Sequence, residues 1–128
     1  MPQQETSNPL AVHGHISYLE IPAVDPAQSA DFFHSVFGWN IRQILPHRAA
    51  FDDPAGNLIG RFVTGREIAK APGLVAYIYV TKIDDTVKKI EAGGGTIVTP
   101  VYPEGDLFVA TFRDPAGNYL GIWQFGPR

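Results

Sequence analysis

Apolar residues along this chain alternate with a period of two in some stretches and recur at spacings of three and four in others. The order of these stretches repeats. Residues 18–24 (YLEIPAV) predict a strand. Asp25 and Pro26 then supply a helix N-cap and a first-turn proline, with Gln28 placed for a capping box. Phe33, Val36 and Phe37 mark one buried helix face, and Gly38 ends the helix. In the second half, residues 74–80 (LVAYIYV) predict the matching strand. Ile83, Val87 and Ile90 predict a second amphipathic helix, stopped by Gly93, Gly94 and Gly95. Three further strands follow each helix, over 39–45, 48–52 and 57–63, then over 96–102, 107–113 and 118–125.

The pattern therefore reads βαβββ twice within one domain: module one over 14–63, a linker over 64–73 and module two over 74–125. A pentapeptide supports this division. DPAGN spans Asp53 to Asn57 and again Asp114 to Asn118, each time before the last strand of a module. Alone, each copy is a turn in which Pro sets φ and Gly takes the positive-φ position, and Asp53 and Asp114 are turn formers rather than catalysts.

Alternation sorts the first and last strands of each module into two faces. One is aliphatic, with Leu19, Ile21, Ile59, Val63, Ala76, Ile78, Val80, Leu120 and Ile122, as expected beneath helices. The other carries Tyr18, Glu20, Gly60, Phe62, Tyr77, Tyr79, Gly121 and Trp123. That composition fits a small-molecule pocket, and it equally fits a second aromatic core or a subunit contact. Arg61 falls on the aliphatic side, where it would have to snorkel at a strand edge.

Composition narrows the chemistry. The 13 Gly and 11 Pro among 128 residues favour many short elements over a few long helices. Cysteine is absent, which removes disulfides, cysteine nucleophiles and thiolate metal sites, and leaves His13, His15, His34 and His47 as nitrogen ligands. A formal charge of −3 with no basic stripe argues against nucleic acid. No apolar run is long enough for a membrane helix and no signal-peptide pattern opens the chain, so a soluble cytoplasmic protein is expected. There is no G-x-S-x-G nucleophile motif, and Gly93 to Gly95 follow a helix instead of opening one, so they make no phosphate loop.

The paired βαβββ modules, the FGW sequence after the first helix (Phe37 to Trp39) and the repeated DPAGN turn together resemble the vicinal oxygen chelate superfamily. This is the group of glyoxalase I, bleomycin-resistance proteins, fosfomycin-resistance proteins and extradiol dioxygenases. The resemblance covers roughly residues 14–125. It implies an α+β fold in which eight strands form a cupped mixed sheet with helices outside, a ligand in the cup, and a homodimer. It also implies, for metal-dependent members, a His on the first strand of a module and a Glu on the last strand just after the turn. Two His and a carboxylate leave open positions for two substrate oxygens.

Counted without gaps, the histidine positions fall on Tyr18 and Val75, and the carboxylate positions on Gly60 and Gly121. His15 could serve only if the strand slipped by three residues, which would also invert its face. No cofactor is therefore expected, with a divalent metal through His15 as the fallback.

Glu20 is the one carboxylate expected in the cup. Burial among tyrosines would raise its pKa and suit it to acid/base work, whereas a structural Glu bonded to tyrosine hydroxyls is the plainer alternative. The resulting expectation is a metal-free protein binding a small, partly aromatic or apolar molecule against Tyr18, Glu20, Phe62, Tyr77, Tyr79 and Trp123. The alternatives are an enzyme of the same superfamily, of lyase, isomerase or dioxygenase type, using His15 or Glu20, and an interaction module whose aromatic face is a dimer core.

Overall fold

A computed structural model of the protein describes residues 8–70 and 73–128. In chain order the elements are β1 (Tyr18–Pro22), α1 (Pro26–Phe37), β2 (Asn40–Leu45), β3 (Arg48–Asp52) and β4 (Ile59–Val63), followed by β5 (Tyr77–Tyr79), α2 (Ile83–Ala92), β6 (Thr96–Glu104), β7 (Leu107–Arg113) and β8 (Tyr119–Phe125). The eight strands divide into two four-stranded mixed sheets of like order, β1-β4-β3-β2 and β5-β8-β7-β6. In each sheet the first strand runs parallel to the last one, and the other pairings are antiparallel. Among the described residues no helix is long and apolar enough to cross a membrane.

The helix boundaries have local causes. The Asp25 side chain accepts hydrogen bonds from the Ala27 and Gln28 amides, Pro26 occupies the first turn, and Gly38 closes α1 at φ 76° with its N–H on the His34 carbonyl. Lys82 offers α2 no side-chain cap. Gln124, buried on β8, substitutes: its Oε1 accepts from the Ile83 amide at 2.6 Å.

Both helices cover the same side of the sheets and share one core. Phe33 stacks on Trp39 at 4.6 Å and on Phe62 at 5.3 Å, and Trp39 stacks in turn on Phe51 at 4.6 Å. Phe32 and Phe37 reach Phe112 of β7 at 6.2 and 5.9 Å, joining the two modules through aromatic contacts.

The second DPAGN turn is a further joint. Asn118 is buried; its Nδ2 donates to the Pro22 carbonyl at the end of β1, and its Oδ1 accepts from the Ala69 amide in the linker. Asp114 Oδ1 accepts from the amides of Ala116, Gly117 and Asn118, while burial pushes its carboxyl above the ordinary value. The first copy of the turn has no such role, since the Asn57 side chain is exposed.

Candidate functional site

On the sheet face turned away from the helices, module two presents the aromatic side chains expected there. Tyr77 pairs with Gly121 and Tyr79 with Trp123 between β5 and β8, while Val109 and Leu107 of β7 lie opposite Trp123 and Phe125. Tyr79 meets Trp123 edge-on at 4.8 Å, and Trp123 meets Phe125 at 5.1 Å in the same manner. These rings are not a second core within the chain: Tyr77 and Tyr79 are each 47% exposed and Phe125 60%. Tyr77, Glu104, Leu107, Val109 and Trp123 line a cavity of about 360 Å³. Leu107, Val109 and Glu104 lie outside the first and last strands of the module, and the alternation of β7 is the sequence signal that places Leu107 and Val109 on the face of Trp123. Burial, with Glu104 next in weight, pushes the nearby Tyr102 phenol up.

Module one differs, and four expectations are corrected. Phe62 and Gly60 lie on the helix side: Phe62 is fully buried against Phe33 and Phe51, and a Cβ on Gly60 would strike the Leu19 carbonyl and the Phe51 ring. Arg61 takes the open face that they were expected to share. Its Nη2 lies 3.0 Å from Glu20 Oε2, and its Nε donates to the Tyr18 hydroxyl at 2.7 Å. Arg66 of the linker reaches Glu20 Oε1 at 2.7 Å. Glu20 is therefore not a desolvated acid among rings. Hydrogen bonds from Arg66 and then Arg61 hold its carboxyl below the ordinary glutamate value.

The inversion comes from the turn. In module two the Asp114 amide bonds to the Asn118 carbonyl, whereas in module one the Asp53 amide bonds to that of Leu58, one residue further on. The hairpins close at Arg113 with Tyr119 and at Asp52 with Ile59, enclosing residues 114–118 and 53–58 respectively. One extra residue moves every following side chain to the opposite face.

A second, larger cavity of about 680 Å³ lies between the modules on the helix side, where Leu19, Leu58, Ile78 and Leu120 meet Val36 and Lys89. β1 and β5, each an edge strand of its sheet, both border it.

Residues 15–122 match the family model described as the Glyoxalase/Bleomycin resistance protein/Dioxygenase superfamily. The chain belongs to this superfamily. It is 28% identical over 123 residues to a glyoxylase-like domain-containing protein of Didymella fabae, covering 88% of this chain and 95% of that one. It is 26% identical over 131 residues to the anthracycline biosynthesis protein DnrV of Streptomyces peucetius, covering 88% of this chain and 48% of DnrV. The chain spans about half the length of the curated relatives it matches first. Among solved structures, a glyoxalase/bleomycin resistance protein/dioxygenase family enzyme from Burkholderia phytofirmans PsJN shares the fold at TM-score 0.74 and 18% identity, over 88% of this chain and 100% of that one.

The superfamily's metal site can be tested against the residues present. With the turn lengths taken into account, the ligand positions hold Tyr18 at the start of β1, Val75 two residues before β5, and Arg61 and Gly121 on β4 and β8. A guanidinium repels a cation, and the space above Gly121 is taken by the Tyr77 ring, into which a Cβ there would project. His15 faces elsewhere: its Nε2 lies 2.7 Å from the Asn57 carbonyl at the first turn. His34 Nδ1 lies 2.9 Å from the Trp39 carbonyl, and His13 and His47 are exposed. Among the described residues no three His, Asp or Glu side chains gather as a ligand set. The donor set does not fit the superfamily's ion.

Proposed function

We propose that the protein binds a small, partly aromatic molecule on the open face of module two, against Tyr77, Tyr79 and Trp123, without the divalent metal of the superfamily's enzymes. The observation that carries this reading is the contiguous set of half-exposed rings above a cavity. A soluble chain ordinarily buries such side chains unless the patch has a ligand or a partner. DnrV, a partial relative, is named for the biosynthesis of anthracyclines, which are fused-ring aromatics, and a flat ring system suits a site of edge-on tyrosine and tryptophan. Glu20 as an acid/base group has no comparable support, because its two arginine partners hold it ionised and make it a weak base.

Fluorescence titration tests the reading. Trp39 is 5% exposed within the core, so a bound ring should report through Trp123. Fused-ring aromatics are expected to change the emission of the wild-type protein and to lose that effect in Trp123→Ala. A panel without effect overturns the binding site, and a stoichiometric divalent ion in protein purified without chelator overturns the metal-free part. The same reading takes the protein as a homodimer, as is common in its superfamily, and light scattering of the purified chain tests that.

A further inference from the structure

We infer that the ligand of module two's open face carries a cationic nitrogen beside its rings, and that Glu104 receives that nitrogen. This inference rests on the reading of that face as a ligand site and adds the chemical class of what binds there. Strand pairing sets the geometry. Glu104 lies opposite Leu107 and Tyr102 opposite Val109 across β6 and β7, and Val109 lies opposite Trp123 across β7 and β8, so these side chains share one face. Glu104, Tyr77 and Trp123 line the same cavity of about 360 Å³, so one ligand there meets rings and carboxylate together.

Glu104 is the one charged side chain lining that cavity, and it forms no ion pair with a described Lys, Arg or His. The nearby Tyr102 adds no second charge, because burial first and Glu104 next push its phenol up and keep it neutral at neutral pH. Arg113 stands on the same face but at the far end of β7 from Leu107, about 20 Å along the strand. Its guanidinium is engaged there, with Nη1 donating to the Gly117 carbonyl at 3.2 Å and the group lying 5.7 Å over the Tyr119 ring. Two features of the cavity then favour the same charge. Tyr77 and Trp123 supply π-systems whose faces attract a cation. An uncharged ring system filling the cavity takes water from Glu104 and returns no partner, whereas an ammonium N–H returns a charge-assisted hydrogen bond.

Calorimetric titration of the full chain at neutral pH with 4-phenylbenzylamine, which is protonated there, and with the uncharged 4-phenylbenzyl alcohol tests the inference. The amine is expected to bind about tenfold more tightly than the alcohol, and added salt to narrow the difference. Glu104→Gln removes most of the preference and leaves the share due to the rings, while Glu104→Asp, which keeps the charge on a shorter arm, retains more of it. Glu104 is exposed, so both variants are expected to unfold at the wild-type urea midpoint. An amine bound no more tightly than the alcohol overturns the inference while leaving the aromatic site standing. A preference undiminished in Glu104→Gln also overturns it, and binding of neither compound overturns the site itself.

Discussion

Arg61 stands in module one where Gly121 stands in module two, although counting from the shared DPAGN pentapeptide aligns Gly121 with Gly60. The difference of one residue in the turn is small in sequence and large in consequence. It sends Phe62 into the helix-side core, brings Arg61 to Glu20, and gives module one a charged open face where module two has an aromatic one.

The two glycines should therefore respond differently to a methyl group. A Cβ on Gly60 meets the Leu19 backbone carbonyl and the buried Phe51 ring, neither of which can move aside. Gly60→Ala is expected to cost about 3 kcal/mol or more. The atoms nearest a Cβ on Gly121 belong to the Tyr77 ring, which is half exposed and can swing out, so Gly121→Ala should cost about 1 kcal/mol or less. Urea unfolding of the two variants measures this, and equal costs would contradict the inverted register.

The order of elements was legible because hydrophobic periodicity, an Asp–Pro helix start and glycine stops are local signals, and each of them acted locally. The open face of module two was legible for the same reason, since Tyr77, Tyr79 and Trp123 follow simple alternation. Phe62 and Arg61 were assigned to the wrong faces because identical pentapeptides closed hairpins of different length, which depends on whether the amide of the first aspartate reaches the fifth residue or the sixth. An arginine on a supposedly aliphatic face was the sequence signal of that error. Glu104 and Arg66 come from a strand end and a linker, where periodicity says nothing about which group lies nearby.

Identical asparagines should also differ. Asn118 is buried and ties its own turn to Pro22 and Ala69, so Asn118→Ala leaves a carbonyl and an amide without partners. A loss of about 3 kcal/mol is expected. Asn57 occupies the same place in the first pentapeptide with its side chain exposed, and Asn57→Ala should stay within about 0.5 kcal/mol of the wild type. Thermal unfolding of both variants distinguishes a joint between the modules from two ordinary turns.

Glu20 should titrate below the ordinary glutamate value, with Arg66 the larger cause and Arg61 the next. Because the folded value lies below the unfolded one, the ion pairs stabilise the fold at pH above the ordinary glutamate value, and their contribution disappears as pH falls through the folded value. Carboxyl-carbon NMR of the wild type and of Arg66→Gln follows this directly: the variant's midpoint should move up towards the ordinary value. A wild-type midpoint above that value would return Glu20 to the role of a general acid or base.

Phe62 and Trp123 separate stability from binding. Both were expected to line one pocket, but Phe62 is fully buried between Phe33 and Phe51 while Trp123 borders the open cavity. Phe62→Ala should lose about 3–5 kcal/mol through the cavity it leaves, and Phe62→Leu, which fills more of that space, should lose less and fold well enough for titration. Phe62→Leu is expected to bind aromatic probes as the wild type does. Trp123→Ala exposes no core and should unfold near the wild-type denaturant concentration, yet fail to bind. Measuring urea midpoints and calorimetric affinities on the same three proteins tests both statements together. A Phe62→Leu protein that folds but no longer binds would place the ligand beneath the sheet, in the larger cavity between the modules.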